Sequence, residues 1–323
     1  MRIYVILGPT ASGKSGAALA VAQRAGAEIV SADSMQVYRG MDIGTAKPTR
    51  AERARVPHHL IDVVDPWESF STAEYVRLAD EAIADIARRG RIALVVGGTA
   101  LYLKSLLVGI FRGPSADWRF RGALRKEAEA SGVVALHERL SKIDPEAARR
   151  IHPNDLRRIE RALEVHEKTG KRPSSLRREW TAGENRYDAT VVGISWAREK
   201  LRARIDERVD RMIAAGWLAE VKELLASTAG PGREASQALG YAQLRRVASG
   251  DMDLAGAVDE IKRKTRRSAK AQMTWFKAFP GVGWVDGASR RDGGDLVDAV
   301  MDALGLHDGN AVQGQGGNSS GGR

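Results

Sequence analysis

Short apolar runs alternate with amphipathic stretches through the first third of the chain. Arg2–Leu7 (RIYVIL) is a run of β-branched, aromatic and aliphatic residues and predicts a buried strand. Residues 16–24 (GAALAVAQR) are Ala-rich and predict a helix directly after it. Residues 28–32 (EIVSA) predict a second strand, ending at Asp33. Residues 72–89 place Val76, Ala79, Ile83 and Ile86 near one helical face. Residues 91–96 (RIALVV) predict another buried strand, followed by Gly97, Gly98, Thr99 and a helix through Leu107. Repeated strand–loop–helix units predict a parallel sheet covered on both faces. Ligands of such sheets bind beyond the C-terminal strand ends. Asp33 and Thr99 fall at such ends.

The pattern changes after Gly109. From 112 to 184 there is little strand periodicity and much charged, helical sequence, with helices expected over 133–141, 145–151 and 155–169. Gly170 is positioned as a C-cap. Residues 189–196 (ATVVGISW) predict a strand returning to the main sheet. Helices are expected over 199–215, 218–226 and 258–279. No internal repeat is present. The reading is a core domain built from 1–111 and 187–306, an inserted helical domain over 112–186, and a tail over 307–323. The tail is rich in Gly, Ser, Asn and Gln and is expected to be disordered.

Composition adds class. Hydrophobic residues make up 43% and charged residues 28%, as in an ordinary globular protein. The absence of cysteine excludes disulfides and thiolate zinc sites. No apolar run reaches the roughly 18–20 residues of a membrane helix. The first strand begins at once, which leaves no room for a secretory leader, so a cytoplasmic protein is expected. The net charge of +10 suits a protein that grips a polyanion.

Between the first strand and its helix lies GPTASGKS: Gly8, Pro9, Thr10, Ala11, Ser12, Gly13, Lys14 and Ser15. This fits the phosphate-loop pattern, and its strand–loop–helix context is the required one. Glycines let the backbone wrap phosphate oxygens, while loop amides and the helix N-terminus supply positive potential. Lys14 would reach the outer phosphate, and the Ser15 hydroxyl would ligate Mg²⁺. The motif leaves open which phosphate compound is held. An ATP-dependent small-molecule kinase and a non-catalytic RNA-binding protein both remain compatible with it.

Asp33 begins a polar loop running through Gln36 and Arg39 to Gly44-Thr45-Ala46-Lys47. It could cap the next turn, ligate a metal or take a proton. Thr99 could cap its helix or bond a substrate. The adjacent His58 and His59 point to opposite faces of an extended chain and are read as structural. Arg157, Arg158 and Arg161 could share one basic helical face. Residues 262–277 hold seven basic residues and no acidic one, with Trp275 and Phe276 at the end. Such a helix can neutralise phosphates and stack on bases, or the aromatic pair can anchor it in the core.

These pieces together resemble the bacterial tRNA dimethylallyltransferases, also called tRNA isopentenyltransferases. The matching segments are GPTASGKS, SADSMQVYRGMDIGTAKP, PHHLIDVVDP, VVGGTALYLKSLL, NDLRRIERALEV, QALGYAQ and AQMTWF, in family order and covering nearly all but the tail. The resemblance implies a P-loop NTPase-like α/β fold with an inserted all-helical subdomain. It implies transfer of a dimethylallyl group from dimethylallyl diphosphate to N6 of the adenine 3′ of the tRNA anticodon. It implies Mg²⁺ as cofactor, no membrane partner, and one monomer per tRNA. The diphosphate would lie on the loop from Gly8 to Ser15. Asp33 would be the general base, with Thr99 and Arg121 near the reacting groups. Asp33, Ser34, Met35 and Gln36 would lie against the target nucleotide. Further tRNA contacts would come from Arg157, Arg158, Ile159, Glu160, Arg161, Gln237, Gly240, Tyr241, Lys270, Gln272, Trp275 and Lys277. The chain departs from the family pattern at Arg157, Ser268 and Ala271, positions that bear on RNA contacts.

Overall fold

The strands β1 (Arg2–Leu7), β2 (Ala27–Ser31), β3 (His58–His59), β4 (Ile92–Gly97), β5 (Asp188–Ser195) and β6 (Val282–Asp286) form one sheet in the computed structural model. Their order is β3–β2–β4–β1–β5–β6, and every neighbouring pair is parallel. The structure describes residues 1–110, 113–114, 116–176, 185–227, 229–288 and 296–308. The chain divides into two units, one of Met1–Leu107 with Tyr187–Arg323 and the other of Val108–Arg186.

In the first unit, every residue of β2 and β4 is buried, as central parallel strands require. The last residue of β4 is a glycine, Gly97, and a Cβ there would sit 2.1 Å from the Ala32 carbonyl oxygen. Helix α1 (Lys14–Ala25) buries Ala17, Ala18, Val21, Ala22 and Ala25, small residues that let it lie close to the sheet. Helix α2 (Arg50–Arg55) starts at a capping box between Thr49 and Glu52. Helix α3 (Thr72–Arg88) is capped by Ser71 and buries Tyr75, Val76, Ala79, Ile83 and Ile86, the expected apolar face with Tyr75 added. Helix α4 (Ala100–Val108) follows β4, and Tyr102 stacks on Tyr75 at 4.0 Å.

The second unit contains α5 (Trp118–Ser131), α6 (Val133–Ile143), α7 (Pro145–Arg150) and α8 (Leu156–Thr169). They close around Leu124, Leu136, Leu140, Ile159 and Leu163. The first unit resumes with β5, α9 (Arg198–Ala214), α10 (Trp217–Ala226), α11 (Arg233–Ser236), α12 (Tyr241–Ala248), α13 (Leu254–Lys277), β6 and α14 (Leu296–Leu304).

Several of these elements lack a clear sequence period. Strand β6 is a sheet edge in which Val285 alone is buried, so it shows no alternation. Helix α13 begins at Leu254 rather than at 258, because Asp253 accepts from the Gly256 amide at 3.0 Å and caps it. The expected disorder of the tail falls mostly on residues 309–323, outside the described residues. Asp308 is described and pairs with Arg24 at 2.7 Å. Among the described residues, no helix is long and apolar enough to cross a membrane.

The histidine pair is structural. His59 Nε2 meets the Glu28 carboxylate at 2.8 Å, and His58 Nδ1 meets the Val56 carbonyl at 2.7 Å. Glu28 is buried in β2, where Arg89 grips it with two nitrogens. The Arg89 bonds hold its carboxyl at about 2, below its usual 4.5, against the opposing effect of burial. A depressed acid stabilises the fold above its unfolded pKa and loses that contribution as pH falls through the folded one. Glu28→Gln is therefore expected to cost about 2–3 kcal/mol at neutral pH. Chemical-denaturation curves should show the wild-type advantage fading between about pH 4.5 and 2. An equal advantage at pH 7 and pH 2 would refute the assignment.

Candidate active site

The phosphate loop links β1 to α1. Gly13, with φ 89°, occupies the N-cap position, and no side chain caps the helix. The first amides of α1 thus have no side-chain partner and form an anion-binding end. Two of the loop carbonyls are engaged by residues from later in the chain. Trp196 Nε1 donates to the Ser12 carbonyl at 2.9 Å, and Arg204 Nε donates to the Ala11 carbonyl at 2.9 Å. Arg204 also stacks over Trp196 at 4.2 Å. Both braces follow β5, so they steady a loop about 190 residues earlier.

The second half of the site follows β2. Asp33 Oδ1 accepts from the amides of Met35 and Gln36 at 2.9 and 3.4 Å, forming the turn-capping arrangement. Oδ1 is thus committed to the turn, and Oδ2 is left without a hydrogen-bond partner among the described residues. Thr99 does not use its hydroxyl as a helix cap. Its Oγ1 accepts from the Ser34 amide at 3.0 Å and donates to Ser34 Oγ at 3.3 Å. Thr99 therefore ties the end of β4 to the turn that carries Asp33.

Gln36 is buried and braces the same loop. Its amide donates to the carbonyls of Thr45 and Ala46, and its oxygen accepts from Ser31. Lys47, buried, donates to the Tyr38 carbonyl at 2.7 Å and pairs with Asp42 and Asp62. From α10, Glu220 accepts the amides of Asp42, Ile43 and Gly44. Charge-assisted bonds thereby add to the buried Val37, Tyr38 and Met41 in holding this loop.

Thr10, Lys14, Ser15, Asp33, Ser34, Met35 and Thr99 line one cavity of about 330 Å³. Arg208, from α9, lines it too. A second cavity of about 620 Å³ shares Lys14, Ser15 and Arg208 and adds Arg50, Arg53 and Arg211. Burial pushes the Lys14 ammonium down to about 8, the nearby Arg208 adds to this, and Asp33 opposes it. Burial also lowers Arg208, again opposed by Asp33. Two desolvated cations beside a phosphate loop are stabilised by an incoming anion. Arg208 carries no motif signal. It stands out only once the fold places it against Lys14.

The remaining site residues divide. In the second unit, Arg121 grips the buried Glu164 with two bonds at 2.9 and 2.7 Å. Burial raises Glu164, but Arg121, the Asp117 amide and Arg161 outweigh it and hold the carboxyl below its usual range. Arg157 and Arg158 are exposed, and Arg161 also pairs with Glu164. Ile159 and Glu160, expected as tRNA contacts, are instead interior. Ile159 is 0% exposed, and Glu160 is 2% exposed and paired with Arg125. Helical periodicity turns these two positions away from the face of Arg157 and Arg158.

Gly240 and Tyr241 are likewise buried rather than open to a macromolecule. Tyr241 packs edge-on against Trp217 and donates to Glu220 at 2.6 Å, while a Cβ at Gly240 would collide with Trp217. Gln237 is exposed. On α13, the Trp275–Phe276 pair splits, with Phe276 fully buried and Trp275 42% exposed. Lys270 and Lys277 are exposed, as are Arg263 and Arg267, and none has an ion-pair partner among the described residues. Gln272 turns inward, accepting from the Thr10 amide and donating to the Gly98 carbonyl, each at 2.9 Å.

The family model described as IPP transferase matches residues 36–279, and that described as isopentenyl transferase matches residues 1–62. The chain is 50% identical over 285 residues to a tRNA dimethylallyltransferase of Symbiobacterium thermophilum, covering 88% of this chain and 89% of that one. It is 47% identical to the tRNA dimethylallyltransferase of Geobacter sulfurreducens, covering 88% and 92%. The crystal structure of the full-length tRNA isopentenylpyrophosphate transferase from Bacillus halodurans matches with a TM-score of 0.68 at 40% identity, covering 94% of each chain. A eukaryotic dimethylallyltransferase, seen in crystallographic snapshots acting on tRNA, matches with a TM-score of 0.77 at 29% identity, covering 93% of this chain and 77% of that one. With a phosphate loop, a carboxylate turn and this extent of likeness to tRNA dimethylallyltransferases in one chain, the protein belongs to the IPP transferase family.

Proposed function

We propose that this protein transfers a dimethylallyl group from dimethylallyl diphosphate to N6 of the adenine 3′ of the anticodon in tRNA. The observation that carries the reading is one cavity lined both by the cations Lys14 and Arg208 and by the Asp33 carboxylate. The leaving group departs as diphosphate when the allylic C–O bond breaks. Lys14, Arg208 and the first amides of α1 stabilise the charge that develops on it. The adenine nitrogen forms the new C–N bond and loses a proton, which the free oxygen of Asp33 accepts. Thr99, bonded to Ser34, holds the turn that carries Asp33. A stacked adenine cannot reach this cavity, so the base is extruded from the loop.

The donor set fits Mg²⁺ as an ion carried largely by the substrate. The Ser15 hydroxyl is a hard oxygen donor lining the cavity. Ser15 would hold the ion, which neutralises diphosphate charge when bound. A cytoplasmic monomer acting on one tRNA completes the reading.

The test is a reaction of purified protein, Mg²⁺, dimethylallyl diphosphate and unmodified tRNA with adenine next to the anticodon, read by nucleoside mass spectrometry. An adenosine gaining one dimethylallyl group, and none when ATP replaces the donor, is the expected result. ATP hydrolysis without a modified nucleoside would overturn the reading in favour of a kinase.

The exposed cations of α13 supply the RNA-binding face. Arg267→Ala should weaken tRNA binding and reduce the slope of its salt dependence by about 1. Arg266 differs, because it grips Asp206 of α9 with two bonds at 2.8 and 2.7 Å. Arg266→Ala should chiefly lower the melting temperature. Filter binding across a salt series, with thermal melts alongside, separates the two. Loss of turnover in Arg267→Ala at saturating tRNA would contradict this assignment.

A further inference from the structure

Gln272 does something different from its neighbours on α13. Arg267, Lys270 and Trp275 are exposed, whereas Gln272 is half-buried with both ends of its carboxamide engaged. Its oxygen accepts from Thr10, in the phosphate loop, and its nitrogen donates to Gly98, the residue before Thr99. The partners are 262 and 174 positions away in sequence. The orientation of the amide is set by chemistry, because a backbone N–H can only donate and a carbonyl can only accept.

We infer that Gln272 is a positioning residue for group transfer, fixing the diphosphate loop relative to the Thr99–Ser34–Asp33 arm. The inference rests on the proposed function. On one side the staple holds the loop that receives the leaving group. On the other it holds Gly98, and through Thr99 the turn carrying Asp33. Donor carbon and acceptor nitrogen are brought together between these two halves. Misplacement of either by about 1 Å is enough to cost on the order of 10²-fold in rate. The side chain needs a donor and an acceptor at this length. Glutamate keeps the acceptor for Thr10 but presents a carboxylate to the Gly98 carbonyl. Leucine keeps the volume and loses both bonds.

Gln272→Leu is expected to lower kcat by about 10–10²-fold at saturating tRNA and donor. Its dissociation constant for tRNA should stay within about threefold of wild type, the opposite of the pattern for Arg267→Ala. Gln272→Glu, which has nearly the same shape, keeps the variant set informative if the leucine chain folds poorly, and it should also lose kcat. Melting curves, tRNA binding by filter assay and single-turnover transfer are measured on the full chain. Unchanged kcat in both variants would overturn the inference. So would a loss of tRNA affinity that accounts for the whole loss of rate, which would make Gln272 an RNA contact. Failure of the wild-type chain to transfer at all would instead overturn the proposed function, so the two failures are distinguishable.

Discussion

Asp33→Asn is expected to lower turnover by about 10²–10⁴-fold, the scale for losing a positioned base. Asparagine keeps an oxygen in the place where Asp33 Oδ1 accepts from Met35 and Gln36, so the turn survives. What disappears is the oxygen able to take a proton from the attacking amine. Asp33→Ala should show at least the same loss, with the turn released as well. Single-turnover transfer at saturating tRNA and donor is the measurement, with tRNA binding as the control. Retention of rate within about threefold in Asp33→Asn would remove Asp33 from the role of base. If Asp33→Ala alone were impaired, the carboxylate would be a cap and nothing more.

Lys14→Ala should act on the other half of the reaction, lowering kcat/KM for the donor by about 10²–10³-fold, the scale for losing one preorganised donor to a developing anion. Binding of inorganic diphosphate should weaken with it, while tRNA affinity stays close to wild type. A pH dependence follows from the same environment. Burial and Arg208 push the Lys14 pKa down to about 8 in the free protein. The ammonium is therefore charged below that pH and neutral above it, so donor KM should rise as pH passes about 8. Lys14→Arg should abolish this inflection, since a guanidinium stays protonated. A donor KM that is flat from pH 7 to 9 in the wild type would refute the assignment.

Much of the architecture is written locally in the chain. Strands β1 and β4 are nearly continuous apolar runs because both faces of a parallel sheet are covered, and β2 departs from this at Glu28 and Ser31. Helix α3 carries its apolar face at helical spacing. The phosphate loop is legible for the same reason. Its glycines, lysine and serine lie within eight residues, and the neighbouring strand and helix supply the context. Asp33 is legible as a carboxylate at a strand end, though the residues that hold it are not all nearby. By contrast, β6 is an exposed edge strand, α11 is four residues long, and neither offers a period to read.

On α8 and α13 the sequence shows charge but not direction. Arg157 and Arg158 face out while Ile159 and Glu160, one step on, face into the second unit's core. Trp275 faces out while Phe276 is buried. Burial depends on which neighbour packs against the helix, and that neighbour is distant in sequence. Arg266 and Arg267 look equivalent in the chain, yet Asp206 on α9 engages only the first.

The chain by itself determined the phosphate loop, the strand-end carboxylate, the Gly170 helix end and the parallel-sheet class, because each is a pattern spanning a few residues. Tertiary structure alone decided that Arg208 stands beside Lys14 in one cavity, that Glu220 gathers three amides of the loop after Asp33, and that Gln272 joins Thr10 to Gly98. Those pairings span more than 170 residues, as between Ile43 and Glu220 at 177. They exist only after folding has placed strand ends and helices around one cavity, and no local periodicity encodes them.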